Sequence, residues 1–240
     1  MSASELKEAL AAVDHKIQAA CRKSGRNRDE VTLVAVSKRQ PLQKMKLYEL
    51  AAAELEIPVV FGESYVQELS KKSAALDATS NCHLIGPLQK NKVRAAVQVA
   101  AMIESIHTPE IAALVSSEAL RLRKTMPVLL QVNISRDPAK SGFAEEQLIN
   151  FLRAESAQLG GLEIRGLMTI TELYTEPSAA LPDFKALKAL GDALSGQGLL
   201  PQSFDLSMGM SADYVFAIEA GATLIRVGTA LFGDREKRFE

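Results

Sequence analysis

The segment Leu206–Gly233, LSMGMSADYVFAIEAGATLIRVGTALFG, carries the pattern that decides the fold. Two apolar runs of strand length, Phe204–Met208 and Thr223–Gly228, flank a stretch of helical composition, Ala212–Ala220. A strand, a helix and a second strand in this order form a βαβ unit, whose two strands are parallel. The segment therefore predicts a parallel sheet that is covered by helices.

The same alternation extends through the rest of the chain. The earlier apolar runs are Val31–Val36, Val59–Gly62, Cys82–Gly86, Met102–His107, Val128–Ile134 and Ile164–Thr169. The stretches of helical composition between the runs are Pro41–Leu55, Val66–Leu76, Leu88–Ala100, Pro109–Lys124, Glu145–Leu159 and Asp183–Leu194. A further helix, Ser4–Lys23, precedes the first strand, and Ser4 is its predicted cap.

Eight strand–helix units in 240 residues predict an α/β fold of the (β/α)8 type, a TIM barrel with an extra N-terminal helix. Continuous apolar strands agree with this fold, because its strands are buried on both faces. We expect one domain over residues 1–240, since no linker-like composition interrupts the pattern. A doubly wound open sheet is the alternative, and it usually has fewer strands.

The composition excludes several classes of protein. The formal charge is −1, from 28 basic and 29 acidic residues, and Trp is absent, so a nucleic-acid-binding face is not expected. Two cysteines cannot form a disulfide framework, and neither has a metal-ligand partner at a suitable spacing. No apolar run is long enough for a membrane span, and the N-terminus does not resemble a signal peptide. We therefore expect a cytoplasmic protein.

Two loops of the predicted barrel carry small residues suited to an anion. SMGMS ends strand seven and places Ser211 before a helix, and VGT ends strand eight with Gly228 and Thr229. Loops after strands seven and eight commonly bind phosphate in this fold. Either loop alone reads as an ordinary turn, but their occurrence together favours a phosphate site.

Lys38 ends the first strand in VAVSK, and Arg226 lies within the last strand. Lys38 is either the first solvated residue or a lysine that forms a Schiff base. A phosphate site and such a lysine together are what pyridoxal phosphate (PLP) requires, although an aldolase acting on a sugar phosphate also fits. Arg226 either forms a salt bridge below the barrel mouth or faces the pyridine nitrogen, and His83 is either a core histidine or a support for the site.

The chain resembles the YggS/PROSC family of pyridoxal phosphate homeostasis proteins, whose fold is similar to the N-terminal barrel of alanine racemase. The matching segments are LVAVSK (Leu33–Lys38), FGESYVQE (Phe61–Glu68), HLIGPLQKNK (His83–Lys92), KSGF (Lys140–Phe143) and Leu206–Gly233. The resemblance implies a PLP Schiff base on Lys38 and a cofactor-binding set that also contains Ser64, His83, Met210, Ser211, Arg226, Gly228 and Thr229. The chain departs from the family pattern at Ser64, Cys82 and Pro87, where the family usually has Asn, Trp and His. We expect Ser64 to reach the cofactor less well, and the other two to alter packing at the pocket edge.

The resemblance also implies a PLP carrier with little or no turnover, which exchanges PLP with apo-enzymes and free amino acids. Arg226 cannot accept a proton, so it would leave the pyridine ring neutral. The alternative is a PLP-dependent amino-acid racemase, which needs a second base; Tyr65 and His83 are the candidates. Few residues follow strand eight, so no covering domain is expected, and the protein is predicted to be a monomer or weak homodimer.

Overall fold

The computed structural model describes residues 1–76, 81–172 and 174–233. Within them, eight parallel strands close into a barrel in sequence order, and the first strand pairs with the last. The strands are β1 (Thr32–Val36), β2 (Val60–Glu63), β3 (Asn81–Leu84), β4 (Met102–Ile106), β5 (Met126–Gln131), β6 (Leu162–Met168), β7 (Asp205–Met210) and β8 (Leu224–Val227). The predicted (β/α)8 barrel is confirmed, and the closure of β1 on β8 excludes the open sheet.

The helices surround the barrel and alternate with its strands. They are α1 (Ala3–Lys23), α2 (Leu42–Glu54), α3 (Val66–Ser73), α4 (Val93–Val99), α5 (Pro109–Arg121), α6 (Glu145–Ala154), α7 (Leu181–Gly196), α8 (Tyr214–Glu219) and α9 (Thr229–Phe232). In the part of the chain that the structure describes, no helix combines the length and the apolar composition needed to cross a membrane.

Several helix starts differ from the prediction. Helix α2 begins at Leu42 and not at Pro41, α4 at Val93 and not at Leu88, and α7 at Leu181 and not at Asp183. A short 3-10 turn, Lys90–Lys92, precedes α4.

The starts of α1 and α8 differ for a local reason. Ser2, and not Ser4, caps α1: its hydroxyl accepts from the Glu5 N–H at 3.2 Å, while the Glu5 carboxylate accepts from the Ser2 N–H at 2.6 Å. This reciprocal pair is a capping box, and Glu5 at the third helical position selects Ser2. Helix α8 begins at Tyr214 and not at Ala212, because Asp213 forms a turn with Met210.

Apolar side chains fill the space on both sides of the barrel wall. Leu33 and Ala35 of β1 point outward into the main core between strands and helices, whereas Val34 and Val36 point inward. We call the inner apolar cluster the barrel floor; its buried members are Val34, Val60, Ile85, Met102, Leu129, Met168 and Leu224. Buried polar side chains occupy the remainder of the interior, where a charged network replaces apolar packing.

Candidate functional site

A cavity of about 360 Å³ lies at the carboxyl ends of the strands. Val36, Ile85 and Ile170 line it and pack in or against the barrel floor. Seven of the eight residues in the predicted cofactor set also line it: Lys38, Ser64, Met210, Ser211, Arg226, Gly228 and Thr229. The eighth residue, His83, is not part of the lining. A single cavity thus joins the ends of β1, β2, β7 and β8, which are distant in the sequence.

Arg226 is held rigidly inside the barrel. Its side chain is buried, and its two terminal nitrogens donate to Ser207 Oγ at 2.5 Å and to the Thr169 carbonyl oxygen at 2.7 Å. Burial lowers the pKa of Arg226, while the nearby Glu104 and Asp213 act in the opposite direction. The guanidinium nevertheless stays protonated at any pH at which the protein is folded. It can therefore donate hydrogen bonds to a ligand but cannot accept a proton from it.

Glu104 of β4 is the acidic partner of this arginine through one intervening hydroxyl. Its Oε2 accepts from Ser207 Oγ at 2.6 Å, and its Oε1 lies 2.7 Å from His83 Nδ1. Burial, the largest influence, raises the pKa of Glu104, but the His83 hydrogen bond and the charges of His83 and Arg226 outweigh it. The pKa is therefore lowered, and the glutamate is charged.

This chain of contacts links His83 to the cavity through Glu104, Ser207 and Arg226. The place of His83 in the cofactor set stays a prediction, in a supporting position outside the lining. Glu104 was not among the predicted site residues. Its signal was present, since Glu104 is the one acidic residue in the apolar run Met102–His107.

The predicted phosphate site is formed by two chain segments tied to each other. The Gly228 N–H donates to Ser211 Oγ at 3.2 Å, which joins the end of β8 to the turn after β7. A Cβ atom at Gly228 would come within 3.3 Å of Val36, so a glycine keeps this approach open. Thr229 is the first residue of α9 and also lines the cavity. Hydroxyl and amide groups thus cluster on one side of the cavity.

Met210 faces the cavity because β7 is irregular. The pairing of β7 with β8 shifts between Ser207 and Met210, and Gly209 between them has φ of +88°. Without the shift, alternation along the strand would turn Met210 toward the outer core, where Leu206 and Met208 lie. Asp213, which the sequence analysis also missed, accepts from the Met210 N–H at 2.6 Å, and its burial raises its pKa.

Ser37, the residue directly before Lys38, is held from outside the barrel. Glu63, at the end of β2, points away from the cavity toward Lys72 of α3, at 2.8 Å. The same Glu63 oxygen accepts from Ser37 Oγ at 2.7 Å, and Lys72 Nζ also donates to the Ser37 carbonyl oxygen at 2.7 Å. Burial raises the pKa of Glu63 more than the Lys72 charge lowers it. No sequence pattern indicated Lys72.

The three departures from the family pattern lie in different places. Ser64 lines the cavity and is crowded by Gly86, where a Cβ atom would come within 2.3 Å of the Ser64 carbonyl oxygen. Pro87 also lines the cavity. Cys82 is buried in the main core outside the barrel, so the expectation that it alters the pocket edge was wrong: β3 turns it away from the cavity.

The polar groups that line the cavity suit a ligand that has an aldehyde and an anionic group. The cavity offers one primary amine (Lys38), one fixed guanidinium (Arg226), and the hydroxyls of Ser211 and Thr229 beside the open backbone at Gly228. Among the described residues, no group of three His, Cys, Asp or Glu side chains could hold a metal ion.

Comparison with known proteins first defines the class. A family model described as the alanine racemase N-terminal domain matches residues 9–236. Alanine racemase from Clostridium difficile shares the fold at a TM-score of 0.71 and 12% identity, over 97% of this chain and 57% of that one. These matches define an alanine racemase-type barrel.

The curated relatives define the family more narrowly. A pyridoxal phosphate homeostasis protein from Pseudomonas aeruginosa is 38% identical over 237 residues, which is 97% of both chains. The Vibrio cholerae protein of that name is 37% identical, over 92% of both chains. PipY from Synechococcus elongatus, solved with PLP bound, has a TM-score of 0.81 and 32% identity, over 95% of this chain and 100% of that one. The chain belongs to the family of pyridoxal phosphate homeostasis proteins.

Proposed function

We propose that this protein binds PLP in the cavity, holds it covalently on Lys38, and keeps it available to other proteins. The observation that carries the proposal is the meeting of Lys38, Arg226 and the Ser211–Thr229 side in one cavity of about 360 Å³. The name of the curated relatives and the PLP-bound structure of PipY support it. The carrier role, as opposed to a catalytic one, is part of the proposal.

Each group of the cavity has a defined part. The Lys38 amine forms a C=N bond with the aldehyde carbon, and the aldehyde oxygen leaves as water. Ser211, Gly228 and Thr229 hold the phosphate, and Arg226 contacts the ring nitrogen. When bound, PLP supplies an electron sink, which is deepest when the ring nitrogen is protonated. Because Arg226 carries a fixed charge and donates only, it opposes that protonation and keeps the sink shallow.

The lining also supports low turnover. Among the described residues that line the cavity, Lys38 and Arg226 are the titratable ones, and Arg226 is not a base at accessible pH. A two-base racemase needs a second group close to the substrate's α-carbon. His83 is bonded to Glu104 and lies outside the lining, and Tyr65 is 46% exposed in an adjoining cavity. We propose that neither of them serves as that base.

Reduction with borohydride tests the anchor. We expect reduction to fix PLP to the peptide that contains Lys38, and Lys38→Ala to abolish this adduct while some PLP still binds through the remaining groups. Lys16→Ala, an exposed lysine on α1, is the control and should retain the adduct. An adduct on another lysine in the Lys38→Ala variant would overturn the assignment.

Turnover with a panel of amino acids tests the carrier role. A positioned second base contributes about 10²–10⁴-fold, so we expect rates far below about 1 s⁻¹, the lower end of ordinary enzymes. A racemase, decarboxylase or transaminase rate at or above that value would favour the enzymatic alternative. We propose that the recipients of PLP are apo-forms of PLP-dependent enzymes and free amino acids. Transfer to an apo-enzyme is measured by the recovery of that enzyme's activity.

A further inference from the structure

The PLP cavity continues into two more cavities along the N-terminal end of α3. A neighbouring cavity of about 400 Å³ shares with it the residues Lys38, Ser64 and Pro87. A third cavity of about 580 Å³ shares with the second the residues Tyr65, Gln67 and Gln89. Because the shared residues form common walls, the second and third cavities lie side by side and extend away from Lys38. We call them together the basic trough.

The trough carries positive side chains that are not neutralised within the protein. Lys92 lines the second cavity and Lys71 the third, and neither forms an ion pair with any residue that the structure describes. Arg39 lies over the Tyr65 ring, 5.9 Å from its centroid, at the outer end. By contrast Lys90, two residues before Lys92, pairs with Glu110 at 2.6 Å and is not among the lining residues.

One acid, Glu68, is found among the described residues that line the trough, and it is already engaged. Its Oε1 accepts from Lys72 Nζ and from the Arg39 N–H, both at 2.8 Å. Lys72 shares its single positive charge between Glu68 and Glu63. Lys71, Lys92 and Arg39 add three further positive charges, so the trough stays positive. A surface of this kind attracts multivalent anions, and ring faces stack on an exposed aromatic side chain such as Tyr65.

We propose that the basic trough is a second, non-covalent binding site for the phosphate ester of vitamin B6, adjacent to the covalent site. Lys92 in the second cavity and Lys71 in the third attract the phosphate, and Tyr65, which lines both cavities, offers a face for the pyridine ring. This inference rests on the proposed function and deepens it. A molecule released from Lys38 would be held in the trough before it reaches solvent, and an incoming molecule would be concentrated beside the amine.

Binding of a second equivalent, measured with the first site closed, tests this site. The holo-protein is reduced with borohydride to block Lys38, and pyridoxine 5′-phosphate, which lacks an aldehyde, is then added in equilibrium dialysis. We expect one further equivalent to bind, more weakly at high salt, and pyridoxine without phosphate not to bind. We expect the double variant Lys71→Ala/Lys92→Ala to weaken binding about tenfold or more, because two positive charges of the trough are lost. Lys90→Ala is the matched control and should bind as the parent does.

The outcomes separate this inference from the proposed function. If no PLP is fixed on Lys38, the proposed function fails. If PLP is fixed but the reduced protein binds no pyridoxine 5′-phosphate, the trough is overturned while the covalent site stands. Equal binding of inorganic phosphate would overturn the specificity for the B6 ester, because the ring would then contribute nothing. Equal losses in the Lys90→Ala and double variants would overturn the assignment of Lys71 and Lys92.

Discussion

Lys72 donates a hydrogen bond of 2.7 Å to the carbonyl oxygen of Ser37, the residue directly before Lys38. The same ammonium group contacts Glu63 and Glu68, each at 2.8 Å, so three acceptors hold it in a nearly buried position. The lysine that carries the proposed chemistry is therefore placed by a second lysine on the opposite side of the barrel wall. A loss of Lys72 should affect both stability and the position of Lys38.

Replacement of Lys72 by Met should destabilise the protein strongly. The change removes the cation and leaves Glu63 buried without its partner, which typically costs about 3–5 kcal/mol. We expect Lys72→Met/Glu63→Gln to be more stable than Lys72→Met, because the stranded charge is removed as well. Urea unfolding measures each free energy, and Lys71→Met, on the exposed neighbour, should change it by no more than about 0.5 kcal/mol. Equal effects at the two lysines would show that the buried contacts contribute little.

Gly209 should not tolerate a side chain. A Cβ atom there would lie 2.5 Å from Ala217 Cβ, and the backbone φ of +88° disfavours any residue with a side chain. We expect Gly209→Ala to lower the free energy of unfolding by about 1–3 kcal/mol or more, through overpacking and strain. Gly160→Ala is the control, since nothing lies within 4 Å of the added atom. Thermal and urea unfolding compare the two, and a Gly209→Ala variant as stable as the control would contradict the observed bulge.

Glu104 should contribute to the acid limb of the stability curve. Its pKa is lowered in the folded protein, so its charge stabilises the fold above the ordinary value of about 4.5. This contribution is lost as the pH falls through the lower, folded value. Glu104→Gln removes this titration. We expect the variant to be about 1–3 kcal/mol less stable than the parent at neutral pH. We also expect its free energy of unfolding to fall less steeply as the pH is lowered. Urea unfolding between pH 3 and pH 7 measures both slopes, and parallel curves would argue against the charged form.

Cys82 should be inert in the folded protein. Burial raises the pKa of its thiol to about 11, and the nearby Glu63 acts in the same direction. Only about one thiol in a thousand is then ionised at pH 8, and the thiolate is the reactive form. In a Cys21→Ser background, iodoacetamide should label Cys82 in urea but not in buffer, as read by mass spectrometry. Rapid labelling in buffer would mean that β3 opens readily.

The fold was predictable because its signal is local. Each apolar run, such as Val31–Val36, predicts a buried strand without reference to the rest of the chain. Eight such runs predict closure into a barrel, which the structure has. Helix starts were harder to predict. The choice between Ser2 and Ser4 depends on which backbone N–H donates to the Glu5 carboxylate, and in the structure it is that of Ser2. The cavity was largely anticipated because strand ends converge in this fold.

The supporting contacts were not predictable, because they join residues distant in the chain. Lys72 meets Ser37 across 35 residues, and Ser207 meets Glu104 across 103. A sequence shows that a glutamate interrupts an apolar strand, but it does not show which hydroxyl donates a hydrogen bond to that glutamate. Met210 was named for the cofactor set, and it reaches the cavity only through the shift in β7 that the sequence did not reveal.

The barrel floor limits how a ligand can enter and leave the cavity. Val34, Leu129 and Leu224 are at most 4% exposed and belong to the barrel floor, so in the part of the chain that the structure describes the interior is packed closed at this level. Arrival and departure must then share the same mouth and cannot proceed at once. On the proposed function, a molecule held in the basic trough would slow the release of the one on Lys38.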